Sequence, residues 1–541
     1  MCQILAQLNF RFKLLLISKT PQKKIIVIGL DGLPLSLLLH LTKNGSMPRI
    51  RDLMEKGSYG KLRSVIPPIT PAAWTSFQTG KYPYSHGVVD FLQFTPWTHE
   101  YSFTNSTSIT GQTFWSILNY AGRKQIVVNV PLTYPPEEVD GIIIPGFDTP
   151  VTKQGNSAHP EGIIDVILKN VNEYRFFSSI ESINLFRNSG LKTLSDELLD
   201  VTRSQVESVK YLIKTYDWDF LMYHFQVTDM MQHLAWEYID PECDCSVKNK
   251  DINNSIIREF YRKIDDMVGE LLDQVGQDAT VCLLSDHGFI RYDTTFYLNL
   301  FLKKKGYVFV NPFYPFIRTR DNILRKLKNL NIPLTKKQRP SPSKISIRTF
   351  RKIDFQKTTA YAYTNSMNYA FIFINKNLNL NIESLKLDLL GIRHEGKPIV
   401  KDIYPWYEGR ATGIFNPDLV VEFSEGFSVK QRLSSGSHPL FEKMSESGNH
   451  SIDGMFCFTG NGIKNKYQTS AEIVSIMPTL LSIMEVPIPK EIDGKVIEDI
   501  FITQQDSTYT ESTDHSKHHK TVGEADFDAV ATMLRSLGYL Q

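Results

Sequence analysis

The stretch IIVIGLDG, residues 25–32, decides the fold, because an apolar run stops abruptly at an aspartate. A second run, VCLLSDHG at residues 281–288, ends in the same way. Short aliphatic and β-branched runs of this kind predict buried strands of a parallel sheet that is covered on both faces. The carboxyl ends of such strands form the crevice where α/β proteins bind ligands. Since an unpaired buried carboxylate is costly, we expect Asp31, Asp286 and His287 to lie at a functional site.

Strand-like and helix-like segments alternate from Ile25 to about Leu300, which predicts βαβ units. The fold class is therefore α/β, with a mostly parallel central sheet flanked by helices. The expected helices cover residues 34–41, 48–56 and 194–215, and further core strands cover 125–131 and 219–225.

The pattern changes between residues 297 and 425, where Tyr361–Tyr363 and Tyr369–Asn375 resemble antiparallel strands. We expect a smaller inserted α+β subdomain at 297–425, between two parts of one hydrolase core at 24–296 and 426–503. The densely basic segment 318–357 is either a solvated surface insertion or a charged flap that steers an anionic substrate. The sequence leaves both interpretations open.

The ends of the chain carry little fold information. Residues 1–23 are expected to form an N-terminal extension, 504–525 a flexible polar linker, and 526–541 a C-terminal helix.

No run of about 18 uncharged apolar residues occurs, so we expect no membrane span and a cytoplasmic location. The net charge of +2 argues against a nucleic-acid polymer as partner. Oligomeric state cannot be inferred from this sequence.

The segment PPITPAAWTSFQTG, residues 67–80, has two interpretations. Thr70 before Pro71 suits a helix N-cap, and Gly80 suits the position after the helix end, so the segment could be only a well-capped helix. Alternatively, Thr70 lies at a helix N-terminus, where an anion is favoured, and its hydroxyl is a nucleophile when a metal lowers its pKa.

Asp229 and His233 are four residues apart after the predicted strand 219–225, so they share one helix face and can reach one ion. The spacing alone is weak, because Asp514 and His518 repeat it in the polar tail. The position after a buried strand distinguishes the first pair.

Two further histidines are candidates for the same kind of site. His450 precedes an apolar run in GNHSIDG, residues 448–454, and His438 lies in the nearby GSHP. The residues alone do not decide between them.

Taken together, these motifs resemble the type I phosphodiesterase/nucleotide pyrophosphatase family of the alkaline phosphatase superfamily. The matching pieces are IGLDG, PPITPAAWTSFQTG with PYSHG, VTDMMQHLAW, LLSDHGF and SGNHSIDG, in family order. The resemblance implies an alkaline-phosphatase-like fold and two divalent metal ions, typically zinc, with manganese as a substitute. It implies that one ion is held by Asp31, Thr70, Asp286 and His287. It implies that the other is held by Asp229, His233 and His450, which selects His450 over His438.

The implied activity is hydrolysis of phosphodiester or pyrophosphate bonds in a small anionic substrate, through a phosphothreonine at Thr70. Two cations roughly 4 Å apart can clamp the attacking and leaving oxygens of such a displacement. The alternatives are a phosphomonoesterase or phosphomutase of the same superfamily, and a metal-bound protein without activity. The segment around Thr70 argues against a sulfatase, because it has no cysteine to form formylglycine and no following arginine.

Two departures from the family pattern concern the phosphoryl oxygens. Pro71 lacks an N–H, so Ala72 and Ala73 are expected to donate instead. Relatives of the nucleotide pyrophosphatase type usually carry an asparagine after S-H-G, whereas this chain has VVDF at residues 88–91. The second departure weakens the expectation of a nucleotide substrate.

Overall fold

The structure is a computed structural model, and it describes most of the chain. The described residues are 23–98, 101–150, 157–171, 173–176, 189–240, 250–312, 314, 350–365, 367–406, 414–433, 438–444 and 448–511. The predicted N-terminal extension lies outside them except for Lys23. The predicted C-terminal helix, most of the basic segment and residues 512–525 of the predicted linker also lie outside them.

Twelve α-helices are defined within the described ranges. They are α1 Leu35–Lys43, α2 Pro48–Glu55, α3 Thr70–Thr79, α4 Pro83–His86, α5 Phe114–Tyr120, α6 Ile163–Val171, α7 Leu191–Thr215, α8 Val227–Ile239, α9 Lys250–Val275, α10 Leu298–Lys304, α11 Ile382–Leu390 and α12 Ile476–Ile483.

The same ranges contain 24 strands. They are β1 Ile25–Leu30, β2 Gly57–Arg63, β3 Leu92–Phe94, β4 Tyr101–Phe103, β5 Gln125–Val130, β6 Gly141–Pro145, β7 Phe220–Phe225, β8 Thr280–Leu284, β9 Gly288–Arg291, β10 Thr294–Tyr297, β11 Ala360–Thr364, β12 Tyr369–Ile374, β13 Arg393–His394, β14 Lys397–Pro398, β15 Val400–Pro405, β16 Leu419–Phe423, β17 Phe427–Lys430, β18 Phe441–Lys443, β19 Gly448–Ser451, β20 Asp453–Thr459, β21 Tyr467–Gln468, β22 Ala471–Glu472, β23 Ile488–Pro489 and β24 Tyr509–Thr510.

The centre of the molecule is a mixed sheet with the strand order β21-β2-β20-β8-β1-β7-β5-β6. Neighbours from β8 to β6 are parallel, and β20 runs antiparallel to both β8 and β2. The α/β class with a mostly parallel sheet is therefore confirmed. Strand β1 lies between β7 and β8, so the ends of these three strands meet at one edge of the sheet.

Helices cover both faces of this sheet, as the continuous apolar strands predict. Successive side chains of a strand point to opposite faces. In β1, Ile26 and Ile28 join the core cluster that contains residues of the long helices α7 and α9. Ile25 and Val27 join the opposite cluster, which contains residues of α3 and α12. The site helix α3 is therefore packed directly on the central sheet.

A second sheet, with the order β11-β12-β16-β15, is antiparallel throughout. It lies within the predicted insertion 297–425, and the two antiparallel strands expected there are β11 and β12. Its aromatic residues build a separate core that includes Phe371 and Phe373. Within the described ranges, no helix combines the length and hydropathy needed to pass through a bilayer.

Asp148 is a buried carboxylate close to the end of β6. The Leu132 N–H donates to its Oδ2 at 3.1 Å, while its Oδ1 has no hydrogen-bond partner among the described residues. Burial raises the pKa of Asp148 from 3.8 to about 7. The folded chain therefore holds this proton more tightly than the unfolded chain does. The contribution of Asp148 to the free energy of unfolding, which is present near pH 4, is lost as the pH rises through 7.

Asp148→Asn is expected to be more stabilising at pH 8 than at pH 5, because the amide cannot ionise. One pKa unit corresponds to about 1.4 kcal/mol, so the difference could reach roughly 3 kcal/mol. Urea unfolding at both pH values measures it. The exposed Asp278→Asn is the control and should show no such difference. An Asp148→Asn variant with equal effects at both pH values would contradict the prediction.

Candidate metal centre

Three adjacent strands of the central sheet deliver acidic and histidine side chains to one edge. Asp31 follows β1, and Asp286 and His287 follow β8. Strand β7, on the other side of β1, leads into helix α8, whose first turn contains Asp229. The short strand β19 pairs with β9 and places His450 opposite Phe289, which brings His450 to the same edge. Among the described residues, the structure groups these side chains into two sets of three.

The first set is Asp31, Asp286 and His287, all fully buried. His287 Nε2 lies 3.4 Å from Asp31 Oδ1 and 3.4 Å from Asp286 Oδ2. His287 Nδ1 donates to the Gly288 carbonyl at 3.1 Å, so Nε2 carries a lone pair in the neutral ring. Neither facing carboxylate oxygen has a hydrogen-bond partner among the described residues. Three acceptors therefore converge, and a cation would satisfy all of them.

The second set is Asp229, His233 and His450. Asp229 Oδ1 lies 3.2 Å from His450 Nε2 and 3.4 Å from His233 Nε2, and the two Nε2 atoms are 2.8 Å apart. His450 Nδ1 donates to the Pro68 carbonyl at 3.2 Å, which leaves its Nε2 as an acceptor facing a carboxylate. A backbone acceptor on the far nitrogen is the usual way a metal-binding imidazole is oriented.

The two sets are adjacent, and Thr70 lies beside them. The rings of His287 and His450, one from each set, stack with centroids 3.7 Å apart. Thr70 Oγ1 lies 3.4 Å from His287 Nε2, and the residue is fully buried. All seven residues selected from the sequence therefore lie in one region.

Burial and neighbouring charges shift the pKa values of the titratable groups at the site, and the direction differs from group to group. Burial raises the pKa of Asp286 well above its ordinary value, and the Asp31 carboxylate adds to this. Burial lowers the pKa of His287 to about 3. For Asp229 burial also favours a higher pKa, but His233 and His450 outweigh it and the pKa lies below its usual range. A divalent cation would favour the ionised carboxylates and the neutral imidazole.

The donor atoms fit divalent metals. Each set offers carboxylate oxygens and imidazole nitrogens without a thiolate, a composition that suits zinc and also manganese. The unpartnered oxygens of Asp31 and Asp286 are the observation of this structure that supports the fit.

The turn after β1 requires glycine. Gly32 has φ 72, which L side chains rarely adopt, and a Cβ there would lie 3.1 Å from Asp229 Oδ1. The Gly32 N–H donates to Asp286 Oδ1 at 3.3 Å. The IGLDG motif thus supplies the candidate ligand Asp31, and its glycine allows the close approach of Asp229 and Asp286.

Helix α3 begins one residue earlier than expected. Ile69 is the N-cap and Thr70 the first helical residue, so the prediction that Thr70 is the N-cap was wrong by one position. Its C-cap is Gly80 in the left-handed conformation, as predicted. The Ala73 N–H donates to the Ile69 carbonyl at 2.9 Å, so the expectation that Ala73 binds a phosphoryl oxygen was also wrong. Ala72 remains the candidate of that pair.

His438, the rival of His450, belongs to neither set. Its Nε2 lies 3.4 Å from Glu442, and its ring packs edge-on against Tyr297.

Two residues that support the site were not identified from the sequence. Ser285 Oγ donates to the His287 carbonyl at 2.7 Å and accepts from the Leu33 N–H at 2.7 Å, which ties the ends of β8 and β1 together. His224 lies in the buried strand β7 and its Nε2 is 2.8 Å from Asp31 Oδ2. A histidine inside the otherwise apolar run FLMYHF was the signal that could have revealed it.

The chain is similar to known proteins in family and in fold. The model of the type I phosphodiesterase/nucleotide pyrophosphatase family matches residues 25–453, well over half of the chain. The solved structure of human ectonucleotide pyrophosphatase/phosphodiesterase 5 is similar in fold, with a TM-score of 0.52 and 12% sequence identity. That match covers 89% of this chain and 100% of the other. No curated protein matches the sequence. The family match shows that this chain belongs to the type I phosphodiesterase/nucleotide pyrophosphatase family.

Proposed function

We propose that the protein is a two-metal hydrolase that cleaves phosphodiester or pyrophosphate bonds through a covalent intermediate on Thr70. The observation that carries this proposal is the adjacency of two buried ligand sets to a buried threonine hydroxyl. Family membership supports the hydrolysis of such bonds as the class of reaction.

Asp31, Asp286 and His287, with Thr70, would hold one cation, and Asp229, His233 and His450 the other. Zinc is the proposed metal, with manganese as a substitute. Bound divalent cations would supply charge stabilisation at the attacking and leaving oxygens of the displacement.

In the first step Thr70 Oγ forms a bond to phosphorus as the bond from phosphorus to the leaving oxygen breaks. The hydroxyl proton leaves Oγ as this bond forms, and the leaving group departs with the electron pair of the broken bond and takes up a proton. In the second step water attacks the phosphothreonine and restores the Thr70 hydroxyl. Because Thr70 lies in the first turn of α3, a phosphoryl group on it would lie at a helix N-terminus, where an anion is favoured.

The substrate is proposed to be a small anionic phosphoester rather than a nucleic-acid polymer. Residues 88–91, VVDF, contain no asparagine, and Phe91 is buried in the core built around the antiparallel sheet. The contact from this asparagine to a phosphoryl oxygen therefore has no support within residues 88–91, which weakens the case for a nucleotide substrate more than the case for phosphoester hydrolysis. The predicted cytoplasmic location stays a prediction.

Diester and monoester activity can be separated directly. We expect turnover of bis(4-nitrophenyl) phosphate to exceed that of 4-nitrophenyl phosphate by at least about 10-fold in kcat/KM, or about 1.4 kcal/mol. The assay is run with zinc and, separately, with manganese. Chelator-treated protein is the control and should lose activity until metal is restored. The reverse preference would favour the phosphomonoesterase alternative.

A further inference from the structure

His224 is a buried histidine held between two oxygens. It lies near the end of β7 and is fully buried. Its Nδ1 is 2.9 Å from the Asn129 carbonyl oxygen, and its Nε2 is 2.8 Å from Asp31 Oδ2. A carbonyl and an ionised carboxylate only accept hydrogen bonds, so the ring donates to both when both of its nitrogens carry a proton. His224 therefore connects strand β5 to the end of β1 through hydrogen bonds.

The backbone of β5 is irregular at Asn129, where its carbonyl oxygen contacts His224. The register of β5 against β6 shifts between Val128 and Val130, and Asn129 between them has φ 64. Asparagine tolerates this conformation better than most residues. The turn of the backbone aims the Asn129 carbonyl at His224, while Asn129 Nδ2 donates to the His224 carbonyl at 2.8 Å. Such irregularities often re-aim groups beside active sites.

The residues packed around His224 restrict the orientation of its ring. Trp74 meets the imidazole edge to face, with centroids 4.7 Å apart, and its Nε1 lies 3.4 Å from Asp31 Oδ2. A Cβ on Gly29 would lie 2.5 Å from the Trp74 ring and 3.1 Å from His224. Only glycine at this position lets both rings pack against β1. Asp31 Oδ2 is thus held by two ring donors, whereas Asp31 Oδ1 faces His287 without a hydrogen-bond partner among the described residues.

We propose that His224 is a positioning residue that fixes the Asp31 carboxylate, so that Oδ1 is presented as a ligand while Oδ2 stays bound to the protein. This inference rests on the proposed function, because it assigns Asp31 to a cation. Nothing in the family match or in the motifs points to a histidine at this position. Outer hydrogen-bond partners of metal ligands are typically worth about 10- to 100-fold in metal affinity.

Three substitutions separate positioning from space filling. His224→Phe keeps a flat ring and removes both donors. His224→Gln can place an amide N–H near the position of Nε2, towards Asp31. His224→Asn reaches only as far as Nδ1, so it can donate to Asn129 but not to Asp31. The readouts are zinc stoichiometry and affinity by chelator competition, the unfolding temperature of the metal-free protein, and kcat with KM on a diester.

We expect His224→Phe and His224→Asn to weaken zinc binding about 10- to 100-fold, and His224→Gln to stay within about 3-fold of the wild type. The Gln and Asn variants decide the question even if Phe fails to fold. Equal losses in Gln and Asn would assign His224 a structural role only and overturn the inference, as would wild-type affinity in Asn. A wild type that binds no divalent metal would instead overturn the proposed function.

Discussion

Replacing Thr70 by alanine is expected to lower kcat on a phosphodiester by at least about 10⁴-fold, because the attacking oxygen is removed. The fold should tolerate this change. Thr70 is the first residue of helix α3, whose N-cap is Ile69, and its hydroxyl lies 3.4 Å from His287 Nε2 rather than capping the helix. Zinc binding should weaken only modestly, since the two carboxylates and the imidazole of that set remain. Steady-state kinetics and zinc titration on the same preparation measure both effects.

Thr70→Ser is the matched control, because it keeps the hydroxyl and removes only a methyl group. It should retain turnover within about 100-fold of the wild type, a difference of about 2.7 kcal/mol in the barrier. Rapid acid quench followed by peptide mass spectrometry should find a phosphoryl adduct on Thr70 in the wild type. Full turnover in the alanine variant, or an adduct on another residue, would refute the covalent mechanism.

Much of the fold was accessible from local patterns, because the central strands are buried on both faces. The strands expected at 125–131 and 219–225 are observed as β5 and β7. The helix expected at 194–215 is observed as α7. Cys282 and Cys457, which lie inside apolar runs of the sequence, are buried, and neither forms a disulfide. In such strands the apolar run itself carries the signal, so the residues at its end could be selected from the sequence.

The rest of the site depends on contacts between distant parts of the chain. His450 is brought to Asp229 by the pairing of β19 with β9, and no local pattern distinguishes it from His438. The role of His224 arises from a register shift in β5, nearly a hundred residues earlier in the chain. The start of α3 was misplaced because a threonine before a proline suits an N-cap, whereas the observed N-cap is the apolar Ile69.

Asp286→Asn is expected to change metal binding and metal-free stability in opposite directions. The direct loss of a carboxylate ligand should exceed the effect of an outer partner, so zinc affinity should fall by more than about 100-fold. Without metal, burial and the Asp31 carboxylate hold the pKa of Asp286 well above its ordinary value. Near neutral pH the burial of Asp286 beside Asp31 therefore destabilises the folded, metal-free wild type. The neutral amide removes this destabilisation, and the metal-free variant should unfold at a higher temperature than the metal-free wild type.

Thermal unfolding with and without zinc measures this crossover, because a ligand that binds only the folded state raises its stability. Zinc should stabilise the wild type strongly and the Asp286→Asn variant much less. The matched control is Asp293→Asn, since Asp293 is largely exposed and pairs with Arg291 at 2.8 Å. It should leave both unfolding temperatures nearly unchanged. If zinc stabilises Asp286→Asn as much as the wild type, Asp286 is not a metal ligand. The first set would then be reduced to Asp31 and His287.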